Sequence, residues 1–270
     1  MKTLIWSVAW GEYRFMLQSL VQSIRDCGIE NDILVYCDQP LHGCDSRAML
    51  KDINMDQTQY WKFEYLVKVA ELDYDLFVFI DSDHYFVRKP RLDFSSIIGN
   101  DLWHSFLESP INHSSTMRGD WWGVKNEAMI NMWKTFGVTQ KIMYNTNGGF
   151  WMCKREFAKH ARSVVNNFRQ YQGKLGLNLP EEVPISILSH MFSVNYSNRF
   201  HSNYMDIWAS EWTGALKDKI PQGMPWKFVE YMTHKESVVD PAIVHAMRSK
   251  NALVGMGREI MKNNPDRKYS

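Results

Sequence analysis

Five consecutive residues, Leu76-Phe77-Val78-Phe79-Ile80, are apolar with no alternation. A strand with one wet face alternates polar and apolar residues. A run apolar on both faces belongs inside a sheet covered on both sides, the setting of a central parallel strand. The upstream residues agree. Thr3 to Ala9 reads as a strand, and Leu17, Leu20, Val21 and Ile24 form a helical stripe that stops at Gly28. Ile33 to Cys37 reads as a second strand and Gln39 to Asn54 as a loop. Asp56 and Gln59 form a capping pair before a helix carrying Leu66, Val69 and Ala70. Strand, helix, strand, helix, strand implies a parallel sheet with right-handed crossovers, a nucleotide-binding type of half-domain.

The second half is more mixed. Asn126 to Phe136 reads as a helix ending at Gly137. Gly148-Gly149 precedes a short strand, Phe150 to Cys153. Arg155 to Tyr171 is a helix with Phe157, Ala161, Val164, Val165 and Phe168 on one stripe. Glu181 to Phe192 is another, with Pro184 tolerated in its first turn. Ala242 to Val244 is a short buried strand ending at His245. With no repeat and no clear linker, 270 residues read as one domain. Residues 1–100 form its nucleotide-binding half and 101–270 its acceptor half.

Lys and Arg total 31 against 30 acids, so no global basic field argues for nucleic acid. A local excess follows Pro241, with six Lys/Arg against two acids. It keeps a phosphate-rich acceptor open as a minority reading. Aromatic content is 14%, with 11 Trp, which fits either an aromatic core or a flat ligand such as a nucleobase or a sugar face. Met1 to Trp10 reads as a strand, not a signal peptide. The longest strong apolar run, five residues, is far short of the ~18–20 of a membrane span. The four cysteines have no CxxC or zinc spacing and read as reduced thiols, so a cytoplasmic protein is expected. Asn112-His113-Ser114 and Asn195-Tyr196-Ser197 match the glycosylation pattern and read as chance.

The central strand runs straight into Asp81-Ser82-Asp83. Residues i and i+2 of an extended chain project to one side, so two carboxylates point together at the strand's carboxyl end. That is where open α/β sheets bind ligands. A divalent cation removes the repulsion between such carboxylates, and hard oxygens beside phosphate suit Mg²⁺ or Mn²⁺. A solvated turn is the plain alternative.

Phe77-Val78-Phe79-Ile80-Asp81-Ser82-Asp83-His84-Tyr85-Phe86-Val87-Arg88-Lys89-Pro90 resembles the Asp-x-Asp segment of GT-A fold glycosyltransferases, family 8 above all. Trp61-Lys62-Phe63 is similar to the family's donor-contacting Lys on the preceding helix. The stretch from Tyr144 to Met152 resembles its Asn-Ser-Gly-Val-Met segment and places Asn147 on the family Asn. Leu179-Pro180-Glu181-Glu182-Val183 resembles its acidic helix start, and Ile243-Val244-His245 the strand that brings a His to the metal. The patches occur in the family's order. After His245, Ala246-Met247-Arg248-Ser249-Lys250 keeps basic groups but lacks the family's Gly and Trp, which marks a divergent relative.

The resemblance implies an α/β fold of GT-A type, a Rossmann-like, mostly parallel sheet flanked by helices. It implies transfer of a sugar from a nucleotide-sugar, UDP-sugar first, to an acceptor hydroxyl. The acceptor stays open among a saccharide, a lipid-linked glycan, a protein and a modified base in DNA. The metal ligands implied are Asp81, Asp83 and His245. Donor contacts fall on Ala9, Trp10, Tyr13, Lys62, Asp81, Ser82, Asn147, Gly148, Arg248 and Lys250. Asp120, Trp121 and Trp122 suit an acceptor platform, or a buried aromatic pair. Trp208, Trp212 and Trp226 lie in an irregular stretch where an acceptor would also fit. An inverting enzyme needs a base, for which Glu181 and Glu182 are best placed at a helix start; a retaining one needs none, and Asn147 then lines the reacting face. Two other classes compete. A nucleotidyltransferase would carry a Gly-rich loop where this chain has Trp10-Gly11-Glu12-Tyr13-Arg14. A binding module without catalysis would keep the fold alone.

Overall fold

The computed structural model describes residues 1–51, 60–111, 120–193, 207–210, 226–230, 235–239, 241–246 and 249–270. The capping pair Asp56 and Gln59, both glycosylation matches, Arg248 and Trp212 lie outside them.

In chain order the strands are β1 (Thr3–Ala9), β2 (Asp32–Cys37), β3 (Asp45–Ala48), β4 (Leu76–Ile80), β5 (His84–Phe86), β6 (Trp103–Pro110), β7 (Asp120–Trp121) and β8 (Val124–Lys125). They continue with β9 (Tyr144–Lys154), β10 (Trp208–Ser210), β11 (Trp226–Glu230), β12 (Lys235–Val239) and β13 (Ile243–His245). The helices are α1 (Tyr13–Asp26), α2 (Trp61–Val69), α3 (Phe94–Ile98), α4 (Asn126–Thr135), α5 (Ala158–Lys174), α6 (Glu182–Phe192) and α7 (Lys250–Asn263).

The central sheet has six strands in the order β3-β2-β1-β4-β9-β6. β1 to β4 run parallel. β9 runs antiparallel to both β4 and β6, so it alone points backwards. This is a mixed, mostly parallel α/β sheet of Rossmann-like order. All five residues of β4 are fully buried, as its lack of alternation requires. β6 and β9 come from the second half of the chain and extend the same sheet.

The two faces bury separate cores. One is aromatic: Trp151 lies 4.7 Å from Trp103, 4.8 Å from Phe79 and 5.8 Å from Phe63, all stacked, with Trp6 edge-on. Trp6, Trp61, Trp103, Trp133, Trp151 and Trp208 are buried, so most of the tryptophan excess is core. The other face is aliphatic, with Leu17, Leu20, Val21 and Ile24 of α1 packed beneath Ile5, Val35 and Val78.

Three sequence expectations change. The loop expected from Gln39 to Asn54 contains β3, because its polar residues need only one neighbour, β2, at the sheet edge. Gly148 and Gly149 lie inside β9, which starts six residues earlier than expected. They fall where the β6–β9 register shifts, between Thr146 and Trp151, and Gly149 O is tied to Asp81 N–H just beyond the β4 pairing. The basic stretch after Pro241 carries α7, which crosses α1. At Gly257 an added Cβ would overlap the Phe15 carbonyl oxygen, and Ser19 Oγ donates to Leu253 O at 2.6 Å.

Candidate functional site

The order β2-β1-β4-β9 places β1 beside β4, so their carboxyl ends share one edge of the sheet. Open α/β sheets bind ligands at that edge where the strand order reverses. After β4 the chain turns sharply: Asp81 N–H donates to Gly149 O (2.7 Å) and His84 N–H to Asp81 O (3.2 Å). It then enters β5, which pairs antiparallel with β13 in a small sheet ordered β10-β13-β5. The register sets His245 opposite His84, and their rings stack at 4.6 Å, 4° from parallel.

Asp83 sits against both rings. Its Oδ1 is 3.4 Å from His84 Nδ1, and its Oδ2 is 3.4 Å from His245 Nε2 and 2.8 Å from Lys250 Nζ. One ligand atom each from Asp83, His84 and His245 lies within 4.8 Å of the others. Burial opposes ionisation of Asp83, yet His245 and His84 hold its carboxyl well below the usual carboxylate range. Burial, followed by the nearby His245, lowers the pKa of His84 below the ordinary histidine value. Asp83 Oδ1 and His84 Nε2 are buried without a hydrogen-bond partner among the described residues. One carboxylate and two imidazoles in a partly buried cluster are a donor set that fits a divalent ion.

Asp81 is occupied differently. Lys62, 2% exposed, donates to Asp81 Oδ2 (3.2 Å), Gly148 O (3.2 Å) and Glu181 Oε1 (2.9 Å). An ammonium has three protons, and all three are used. Burial works against the charge of Lys62, but Asp81 and Glu181 hold its pKa above the ordinary lysine value. Burial also raises Asp81, and Lys62 only partly offsets this. Lys62 therefore ties the end of β4 to the start of α6. Of the expected metal set, Asp83 and His245 lie together in a cluster that His84 completes, while Asp81 is paired with Lys62.

Gly148 and Gly149 are needed as glycines. A Cβ on Gly148 would sit 2.8 Å from Glu182 Cγ and 3.3 Å from Glu181 Oε1. One on Gly149 would sit 2.8 Å from His84 Cε1 and 3.1 Å from Asp81 Oδ2. Successive residues of β9 thus present bare backbone to the two acids on one side and to the ion cluster on the other. Asn147 connects them: Gly149 N–H donates to its Oδ1 (2.8 Å), and its Nδ2 lies 3.1 Å from His245 Nδ1.

Glu182 opens α6 and accepts from Trp122 Nε1 at 3.1 Å. Trp122 sits at the tip of the β7–β8 hairpin with φ +54° beside Gly123 at +74°, a turn suited to glycine or asparagine. Its ring is 53% exposed, while Trp121 packs edge-on against Trp133. Asp120 is exposed at the foot of the hairpin. The aromatic pair divides: one ring goes to the core and one to the site's rim.

At the end of β1, Ala9 is buried, Trp10 packs edge-on to Trp61 (5.6 Å), and Tyr13 is exposed. Ser82 is buried in the turn. Asp38, unremarked in the sequence, ends β2 and accepts from Gly11 N–H (3.1 Å) and Arg14 (3.0 Å). Trp208 is core: it stacks on Phe106 (5.3 Å) and lies 6.3 Å from His245, walling the ion cluster. Three cations of the basic stretch serve internal contacts: Lys250 with Asp83, Arg258 with Glu12, and Arg267 with Pro40 O. Among the described residues no helix is long and apolar enough to cross a membrane. The chain matches no protein-family model and no curated protein.

Proposed function

We propose that the chain is a metal-dependent glycosyltransferase of GT-A type that moves a sugar from a nucleotide-sugar, UDP-sugar first, to an acceptor hydroxyl. One observation carries the reading: a partly buried cluster fit for an ion, Asp83 with His84 and His245, lies at the carboxyl end of the central strand of a Rossmann-like sheet. The ordered sequence resemblance supplies the reaction class.

A divalent ion, Mn²⁺ or Mg²⁺, would be held by Asp83 with the two histidines and would neutralise the leaving diphosphate. The chain's own residues do the rest. Lys62 fixes Asp81 and Glu181 from below, so neither swings when a charged donor enters. Lys250 is brought to the cluster by the α1–α7 contact and supplies a cation for the phosphates. Trp10, Gly11 and Tyr13 edge the base side. Trp122 offers the acceptor an exposed ring with one polar anchor in Glu182. With Glu181 committed to Lys62, Glu182 is the carboxylate available to take the acceptor proton if configuration is inverted.

A thermal-shift panel of UDP-, GDP-, CMP- and dTDP-sugars, with and without Mn²⁺, tests the proposal. Ligand that binds only the native state raises Tm. One donor is expected to raise Tm in an ion-dependent way. No shift with any donor would contradict the reading.

A further inference from the structure

We infer that the acceptor is a neutral saccharide, one pyranose face of which stacks on the ring of Trp122. This rests on the transferase reading and deepens it by choosing among the acceptor classes left open.

Backbone strain marks the residue. Among the described residues Trp122 is the one non-glycine with a positive φ, +54°. β7 and β8 pair Asp120 with Lys125 and Trp121 with Val124, so Trp122 and Gly123 form a two-residue turn. Both have positive φ, the backbone that asparagine-glycine fills without strain. A bulky side chain is disfavoured there, and such outliers gather where a ligand is held. The core does not ask for this ring, which is half-exposed.

The ring is held ready at both ends. Trp121, its neighbour, packs edge-on against the fully buried Trp133 and anchors the hairpin. Trp122 Nε1 donates to Glu182 Oε2 at 3.1 Å, which fixes the ring by its polar edge. Glu182 Oε1 lies 3.7 Å from where a Cβ on Gly148 would stand, and Gly149, next in β9, borders His84 and Asp81. One carboxylate thus spans from the exposed ring to the strand beside the ion cluster. The C–H face of a sugar covers an aromatic ring, and its hydroxyls donate to a carboxylate. A nucleobase would stack as well, but DNA brings phosphates, and this rim does not suit them. Lys125 stands opposite Asp120, Lys62 takes Glu181, and the group that meets the ring is an anion.

The test titrates the protein, without and with UDP and Mn²⁺, with methyl glycosides of glucose, galactose, mannose and N-acetylglucosamine, and with a short single-stranded DNA. Saturation-transfer NMR and calorimetry read the binding. At least one glycoside is expected to bind, with an affinity that does not change with salt. Trp122→Asn should weaken it at least about tenfold. Trp122→Tyr keeps a stacking face and should bind more tightly than Trp122→Asn. Asparagine suits the turn, so Trp122→Asn should melt close to wild type. A Trp122→Asn protein that melts far below wild type makes the ring a structural clamp and overturns the inference. So does the absence of glycoside binding under both conditions, or binding that Trp122→Asn leaves intact. DNA binding that depends on Trp122, in place of glycoside binding, overturns it in favour of a nucleobase. If any of these occurs while a nucleotide-sugar still raises Tm with Mn²⁺, the proposed function stands. Glycoside binding through Trp122 with no donor shift keeps the saccharide site and removes the transferase.

Discussion

Asp81 and Asp83 stand two residues apart on one turn, yet they finish in opposite surroundings. Asp81 is closed: a buried lysine spends all its protons on it, on Glu181 and on a carbonyl. Asp83 is placed otherwise: two imidazoles and the half-exposed Lys250 surround it. The difference shows that a pair of carboxylates at a strand end need not act as a pair. What stands across from each decides its use. A buried internal cation makes one a structural post, and two imidazoles with a half-exposed cation make the other the candidate binding group.

The most damaging way to break this contrast is to remove the cation beneath Asp81. Lys62→Met leaves two acids in a dense interior without their counter-charge. Removing one partner of a buried pair costs about 3–5 kcal/mol, and the low end applies because Asp81 keeps 31% of its side-chain surface. Urea unfolding should show this loss, and Lys62→Met combined with Asp81→Asn and Glu181→Gln should recover much of it.

A second prediction concerns acid. Burial depresses His190 to about 4, so the unfolded chain binds a proton more readily between that value and about 6.5. Its contribution is complete above pH 6.5 and drains away as pH falls towards 4. Unfolding at pH 5 should show about 2 kcal/mol less stability than at pH 7 from this residue, and His190→Gln should reduce that difference. A flat profile in wild type would contradict the buried, neutral assignment.

Third, Gly149→Ala should cost about 1–3 kcal/mol, since the new methyl group meets His84 and Asp81. The same change should disturb the Asp83 side through His84. The smallest effect is expected at the rim. Trp122→Asn should leave stability within about 1 kcal/mol, because the ring is exposed and asparagine tolerates the positive φ. If the ring is the acceptor platform, this variant should raise the acceptor KM more than it lowers kcat.

Much of the scaffold was legible because its signals are local. The unbroken apolar run of β4, the α1 stripe and the switch to β2 need only neighbours along the chain. What was hidden depends on contacts between distant segments. His84 follows Asp83 in the sequence, but its place in the cluster comes from the β5–β13 register, which brings His245 beside it. The glycines of β9 read as preceding a strand because nothing local reveals that the strand runs through them at a register shift against β6. Lys62 did carry a usable signal. It lies at i, i+4, i+7 with Leu66 and Val69, which places it on the buried face of α2. A cation on that face needs acids above it, and Glu181 is such an acid at the start of α6. The apolar positions of α7 are too sparse to announce a helix; Gly257 docks by its lack of a side chain.

The central claim is that Asp83, and not Asp81, carries an ion-dependent nucleotide-sugar site. Calorimetric titration of the bound donor, with and without Mn²⁺, on Asp83→Asn and Asp81→Asn tests it most directly. The account predicts donor binding that requires Mn²⁺, is abolished in Asp83→Asn and persists in a folded Asp81→Asn protein. Donor binding that ignores Mn²⁺, or that survives in Asp83→Asn and vanishes in Asp81→Asn, would contradict it.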